Sequence, residues 1–245
     1  MRQKDQIIVL HTIKHSDTGV VVRAYSQNSG KCAFYMHVGK KHTKTSLTSA
    51  LSILDIVYYS RHGEVSGSSE GRSIPLITEA AVANNLLSLR SDIVKSTIAV
   101  FMCELISKTI REVEGNIGLY EYIKNSVLLL DSLDKGVENF HLHFFANLCR
   151  IAGYMPNDNY SDKEPHFNIS KAMFDSYYDE NLCFSPDESL LLHRILSSPT
   201  KDIADISCSG KLRNSFLQRL LDYLSLHLGT KMTLKSLPVL REVFE

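Results

Sequence analysis

The sequence predicts an α+β fold, in which a small five-stranded β-barrel is followed by an all-helical body. Apolar residues alternate with period two in short runs through the first 78 residues, whereas helical periodicity governs most of the remainder. Charge divides in the same way. Residues 1–61 hold nine lysines and arginines against three aspartates, a net charge of +6, and because the whole chain is neutral the rest carries −6. We therefore predict two domains, 1–78 and 79–245.

Each predicted strand is a run of five to nine residues bounded by turn-forming residues. The second and third runs alternate most clearly, and the Gln27-Asn28-Ser29-Gly30 segment between them is typical of a hairpin turn. A glycine- and serine-rich loop, residues 63–71, separates the last two runs. Five short strands within about 78 residues favour a small barrel. The predicted strands are Gln6–Ile13, Thr18–Tyr25, Lys31–Val38, Leu51–Tyr59 and Ile74–Thr78.

Helical periodicity begins near Glu79 and is interrupted once. Residues 154–184 are rich in Asn, Asp, Ser, Pro and Tyr, have weak periodicity, and are predicted to form an irregular excursion. After it, Ser185-Pro186-Asp187-Glu188 combines a capping serine, a first-turn proline and the glutamate of a capping box, which predicts a sharp helix start. The longer predicted helices are Ser91–Val113, Ile117–Leu130, Gly136–Ile151 and Lys211–Leu228, with Gly115, Gly153 and Gly229 as terminators.

Composition argues against a membrane or secreted protein. No apolar run approaches the roughly 20 residues that a membrane-spanning helix needs, and the apolar run Ile7–Leu10 is too short for a signal peptide. The five cysteines are far apart and odd in number, which favours reduced, mostly buried thiols. We expect a cytoplasmic protein with no membrane partner.

The candidate DNA-binding residues lie in the basic β-module. The polar loop Gly39–Thr45 contains three lysines, which could neutralise several phosphates at once. On the polar faces of the neighbouring strands, aromatic rings lie beside a cation and could stack bases. The alternative is an ordinary solvated basic loop. The predicted DNA-binding residues are Lys40, Lys41, Lys44, Arg23, Tyr35 and His37, with Tyr25 on the same strand face as Arg23.

No catalytic or cofactor motif is present in the sequence. The phosphate-binding GxxxxGK[ST] loop, the dinucleotide motif GxGxxG and the hydrolase motifs HExxH and GxSxG are all missing. His141 and His143 would share a face in a strand, but in a helix they point about 200° apart, so we expect one to line a groove and the other to face water, without metal. We predict a protein that is not an enzyme and has no cofactor.

The order of several short motifs resembles the RecO family of bacterial recombination and repair mediators. These motifs are the opening from Ile8-Val9-Leu10 through Asp17 and Tyr25 to Gly30, the Gly-Lys-Lys-x-x-Lys loop at residues 39–44, the segment Leu148–Pro156 with its Gly-Tyr-x-Pro pattern, and Tyr-x-x-x-His-Leu-Gly at residues 223–229 followed by Lys235-Ser236. The resemblance covers essentially the whole chain.

The resemblance implies an N-terminal OB-fold followed by a helical domain. RecO-like proteins bind single- and double-stranded DNA, anneal complementary strands, and act with RecR to load RecA onto strands coated by single-stranded-DNA-binding protein (SSB). The resemblance also implies that the helical domain binds the acidic, aromatic-ended tail of SSB. For that receptor we choose the helix 136–151, whose alternative interpretation is a plain core helix; its candidate residues are Phe140, His141, Phe144 and Arg150, with Phe145 beside them.

The chain departs from the family in one respect. Many RecO proteins carry four cysteines as a zinc site after the Gly-Tyr-x-Pro segment, whereas residues 154–184 contain only Cys183. Tetrahedral zinc needs four ligands, so we expect no metal. The excursion must then be held together by aromatic packing, for which the candidates are Tyr154, Tyr160, Phe167, Phe174 and Tyr177.

Two other functional classes compete with a DNA-binding mediator. A protein-only adaptor would work through the helical body, with the basic loop incidental, and its DNA binding would be absent. A nuclease is disfavoured because the basic region has no cluster of carboxylates to hold catalytic metal ions. Steep salt dependence of single-strand binding distinguishes the mediator from the adaptor.

Overall fold

The structure is a computed structural model that describes residues 1–38, 45–59, 74–110, 114–154 and 156–244. Contacts between residues divide the chain into two compact units, Met1–Ser132 and Leu133–Glu245. The α+β fold class is confirmed. Residue 78, the predicted end of the first domain, lies within a strand that continues to Val82, and the predicted domain bounds stay a prediction.

The first unit contains a closed five-stranded barrel. Its strands are β1 (Arg2–Lys14), β2 (Gly19–Ser26), β3 (Gly30–His37), β4 (Ile53–Tyr59) and β5 (Leu76–Val82), with the short helix α1 (Thr45–Thr48) between β3 and β4. They close in the order β1-β2-β3-β5-β4, with β3 and β5 parallel and the other pairs antiparallel. A five-stranded Greek-key barrel of this kind is the OB-fold arrangement.

Alternation along the strands fills the barrel interior. Val20, Val22 and Ala24 of β2 face Cys32, Phe34 and Met36 of β3 in one buried cluster, as the period-two pattern predicts. The predicted start of helical structure near Glu79 is wrong, because β5 pairs with β4 from Leu76 to Val82. The segment Glu79-Ala80-Ala81-Val82 has no strong preference of its own, and pairing across the sheet decides its conformation.

Helices α2 (Leu87–Ser91), α3 (Ile93–Thr109) and α4 (Ile117–Ser132) complete the first unit. The predicted single helix over 91–113 is wrong in two places. Asp92 is extended and its carboxylate accepts hydrogen bonds from the backbone N–H groups of Val94 and Lys95, so it starts a new helix. At the other end the helix stops at Thr109 because Ile110 is extended; residues 111–113 lie outside the described residues.

The second unit is mainly helical. It contains α5 (Val137–Ile151), α6 (Pro186–Ser197), a 3-10 helix (Thr200–Asp205), α7 (Gly210–Leu228) and α8 (Leu237–Val243). The predicted capping box at Ser185 and Glu188 is present. As predicted, α7 stops before Gly229, whose φ of 64° is left-handed. Within the described parts of the chain, no helix is both long enough and apolar enough to cross a membrane.

The excursion contains more regular structure than predicted. A short hairpin, β6 (His166–Asn168) and β7 (Met173–Asp175), lies between α5 and α6. Its core is aromatic: the ring centroid of Phe167 lies 5.3 Å from Phe174, 5.1 Å from Phe184 and 5.6 Å from Tyr223. The packing role predicted for Phe167 and Phe174 is confirmed, whereas Tyr177 is 68% exposed and takes no part in this core.

Candidate nucleic-acid interface

The outer face of β2 and β3 brings three predicted residues together. Arg23 lies opposite Ala33, Tyr35 opposite Val21, and His37 opposite Gly19. Residues that face each other across an antiparallel pair share a side of the sheet, so Arg23, Tyr35 and His37 lie on one face. Because the residues between them point into the barrel core, this face is turned outward.

Two histidines that were not among the predicted DNA-binding residues join this face. His11 of β1 pairs with Arg23. His15 follows β1, and its ring centroid lies 5.6 Å from that of Tyr35, while His37 lies 5.1 Å from Tyr35 on the same strand. Strand pairing and the turn after β1 bring them here, and no sequence motif marks either residue. We call Arg23, Tyr35, His37, His11 and His15 the barrel face.

Gly19 makes room for the Tyr35 ring. A Cβ atom built at Gly19 would lie 1.8 Å from the Tyr35 hydroxyl oxygen, so any side chain there would displace the ring. The Tyr35 ring therefore extends across the bare backbone of β2. It is only partly buried and keeps part of its surface open to a ligand.

Tyr25 is not part of this surface, although its position in β2 places it on the same side of the strand as Arg23. Its side chain is fully buried. At this end of the barrel, the ammonium of Lys31 donates hydrogen bonds to the carbonyl oxygens of Ser107 and Ile110 at the end of α3. A helix that packs over an outward-facing position cannot be seen in strand alternation, so the expected exposure of Tyr25 is wrong.

These contacts also reduce the number of basic residues that can meet DNA. Burial, and to a lesser extent the charge of Arg23, lower the pKa of Lys31, and its donors are committed to α3. Lys14 pairs with Asp17 at 3.2 Å and Arg2 pairs with Glu79. Among the described residues of the barrel, no ion pair occupies Arg23. The loop lysines Lys40, Lys41 and Lys44 lie outside the described residues.

A cleft of about 640 Å³ elsewhere on the barrel is a poorer DNA surface. It is lined by Arg2 and Lys4 but also by the carboxylates of Asp5, Asp55 and Glu79. Asp5 is buried and accepts hydrogen bonds from the Ser26 hydroxyl, the Gln6 backbone N–H and the Asn28 amide. Desolvation raises the pKa of Asp5 despite these bonds. The mixed charge gives a polyanion no net attraction.

The predicted SSB-tail residues lie on α5, which is buried on every side. Phe140, His141 and Phe144 are each 1% exposed, and Arg150 alone of the four is exposed. His143 is also buried, so the expectation that one of the two histidines faces water is wrong. Residues 139–149 of α5 are all buried, the polar ones included, and a helix that is buried all round belongs to a core. The burial favours the alternative interpretation of a core helix, and the receptor stays a prediction.

The excursion does not fit the zinc site that many RecO proteins carry. Cys183 is buried, and its Sγ lies 3.6 Å from the carbonyl oxygen of Tyr177. In the described ranges, no group of three or more His, Cys, Asp or Glu side chains is arranged to hold a metal. The Asn159 side-chain amide instead forms two hydrogen bonds with β7. It accepts from the Phe174 N–H at 2.8 Å and donates to the Phe174 carbonyl oxygen at 2.9 Å.

We expect the purified protein to contain no stoichiometric zinc. A ligand that binds only the folded state raises its stability, so removing a structural zinc would lower the melting temperature. Incubation with a chelator should leave that temperature unchanged, and elemental analysis should find well under one zinc per chain. One zinc per chain, lost together with several degrees of melting temperature, would contradict this prediction.

Comparisons with known proteins agree with this architecture along the whole chain. The family description "Recombination protein O N terminal" matches residues 1–76, and "Recombination protein O C terminal" matches residues 90–238. Similar proteins named "DNA repair protein RecO" occur in Christiangramia forsetii (33% identical, covering 97% of both chains), Bacteroides fragilis (32%, 100% of both) and Phocaeicola vulgatus (30%, 100% of both). The chain belongs to the RecO family of DNA repair proteins.

Proposed function

We propose that this protein is a non-catalytic recombination mediator. It binds single- and double-stranded DNA, anneals complementary strands and, with RecR, helps to load RecA onto single strands coated by SSB, whose C-terminal tail it contacts. The observation that carries the DNA-binding part is the barrel face, where Arg23 lies with Tyr35 and His37 on one outward side of an OB-fold. Family membership supports the rest of the proposal.

The chemistry of the barrel face suits a nucleic acid strand. A guanidinium attracts the phosphates of any DNA sequence, because the phosphate groups carry no base information. A partly exposed tyrosine between two histidines offers rings against which unpaired bases can pack. The proposal adds Lys40, Lys41 and Lys44, which follow β3 closely in the sequence, as further phosphate contacts.

The basic loop provides the test. Replacing Lys40, Lys41 and Lys44 together by alanine should weaken binding to many DNA sequences about equally, and the slope of log affinity against log salt should fall by roughly one per lost phosphate contact. Fluorescence anisotropy with a labelled 30-nucleotide strand, at several salt concentrations, measures both quantities. Arg23→Ala should act in the same direction, by about one contact.

A matched triple variant controls for net charge. Lys163, Lys211 and Lys231 are exposed residues of the second unit, and replacing them by alanine removes the same three charges. This variant should keep both the affinity and the salt slope of the unchanged protein. If the loop variant also keeps them, the DNA site is elsewhere. If neither protein nor variant binds DNA at low salt, the protein-only adaptor is the better assignment.

A further inference from the structure

A short loop after β7 exposes large apolar side chains. Tyr177 is 68% exposed, Tyr178 43% and Leu182 41%, all within residues 176–182. Monomeric proteins seldom leave several neighbouring aromatic and aliphatic side chains in water unless a partner covers them. Tyrosine is also among the residues most enriched at the centres of protein interfaces. We call Tyr177, Tyr178 and Leu182 the tyrosine patch.

The backbone beneath the tyrosine patch is held in place on both sides. The N–H groups of Leu182 and Cys183 donate to the Asp179 carbonyl oxygen, at 3.1 and 2.7 Å, and the Ile169 N–H donates to the Leu182 carbonyl oxygen at 2.8 Å. Arg219 of α7 donates to the carbonyl oxygens of Glu180 and Cys183. A surface fixed in this way loses little conformational entropy when a partner binds.

The segment that carries the tyrosine patch is acidic, and Arg219 of α7, a cation already placed against its backbone, lies 4.0 Å from the carboxylate of Glu188. Residues 154–188 contain eight aspartates and glutamates against Lys163 and Lys171, a net charge of −6. Lys171 is paired with Asp175, which leaves it less able to offset the other carboxylates. This charge opposes DNA and any acidic peptide, and it favours a basic partner. Charge thus separates this surface from the barrel face.

Exposed tyrosine rings and nearby carboxylates together suit arginine. The guanidinium group packs over an aromatic face and forms paired hydrogen bonds with a carboxylate. Glu180 is exposed and follows Tyr178 by two residues, so it can supply that carboxylate. We propose that the tyrosine patch is a docking site for an arginine-rich surface of a partner protein. The proposal does not depend on the DNA-binding function, which uses residues of the other unit.

A labelled synthetic peptide of six Arg-Gly repeats can test the proposal on the whole 245-residue chain by fluorescence anisotropy. Replacing Tyr177 and Tyr178 together by alanine should weaken binding about tenfold, because two cation–π contacts are lost. Replacing both by phenylalanine should preserve binding. Glu180→Lys should weaken it by a similar factor. Tyr59→Ala, which removes a 54%-exposed tyrosine from β4, is the matched control and should leave it unchanged.

Several results would overturn the proposal. If the double alanine variant binds the peptide as tightly as the unchanged protein does, the tyrosine patch is not the binding site. The same conclusion follows if a Lys-Gly peptide binds equally well and salt abolishes its binding. Sedimentation showing a dimer that the double variant dissociates would make a second copy the occupant. If the double variant has a lowered melting temperature, Glu180→Lys decides the question. Binding to single-stranded DNA should be unaffected in all these variants. A negative result here therefore leaves the proposed DNA site untouched, and a negative result there leaves this proposal untouched.

Discussion

Lowering the pH from 7 to 5 should reduce the free energy of unfolding of the second unit by several kcal/mol. Two histidines of α5 cause the effect. His141 is 1% exposed and His143 is 2% exposed. Burial, with a smaller contribution from the charge of Arg213, lowers the pKa of His141 to about 3. Burial is also the largest cause at His143, where it lowers the pKa to about 4.

The direction of the effect follows from proton binding in the two states. In the unfolded chain a histidine binds a proton near pH 6.5, well above the pKa of either histidine in the folded protein. Their contribution to stability is therefore complete above about pH 6.5 and is lost as the pH falls toward the folded pKa values. Each histidine costs about 1.4 kcal/mol per pH unit inside that window. Asp5 in the first unit has a raised pKa, so its contribution increases as the pH falls.

Denaturation by guanidinium chloride at pH 7, 6 and 5, followed by far-ultraviolet circular dichroism, measures this dependence. The chain contains no tryptophan, and the helical signal reports on both units because α3 and α4 belong to the first, so the histidine contribution is isolated by a variant. His141→Phe keeps a ring of similar size against Phe244, on which His141 stacks at 5.3 Å, and should reduce the pH dependence by about one proton. A midpoint that does not move between pH 7 and 5 would show that these histidines do not titrate with unfolding.

Replacing Phe167 by alanine should destabilise the second unit by about 3–5 kcal/mol, the usual cost of truncating a fully buried aromatic ring. Phe167 is 0% exposed and contacts three other aromatic rings. Each edge-to-face contact stabilises the fold by about 0.5–1.5 kcal/mol beyond the contribution of the area that the ring buries. Since we predict no metal in the excursion, we expect this cluster to hold the hairpin against α7 through Tyr223. The Asn159 amide holds β7 to the segment that precedes the hairpin.

Urea denaturation of the variant and of Tyr177→Ala compares a core ring with an exposed one from the same excursion. Tyr177→Ala should change stability by no more than about 0.5 kcal/mol, and Phe167→Leu should fall between the two. A cost below about 1 kcal/mol for Phe167→Ala would mean that the excursion unfolds independently of the rest of the unit. A zinc-dependent stability in either variant would contradict the aromatic core as the stabilising element.

Local patterns in the sequence determined those elements whose conformation depends on near neighbours. Alternation in β2 and β3 placed Arg23, Tyr35 and His37 on one face because side chains in a strand alternate regardless of what the strand packs against. The capping box at Ser185 pairs free backbone N–H groups at the start of α6, and the left-handed glycine ends α7. Both features depend only on residues a few positions apart. The division of charge between residues 1–61 and the rest of the chain follows from composition alone.

The tertiary structure decided everything that depends on which distant segments meet. Pairing with β4 extended β5 through residues that read as the start of a helix. Lys31 donates hydrogen bonds to carbonyl oxygens at the end of α3 and so does not contribute to the basic surface. Tyr25 is buried at the same end of the barrel. Packing around α5 buried all of its proposed binding residues except Arg150. Strand and helix periods define faces, but which faces are covered is set by long-range contacts that no local pattern encodes.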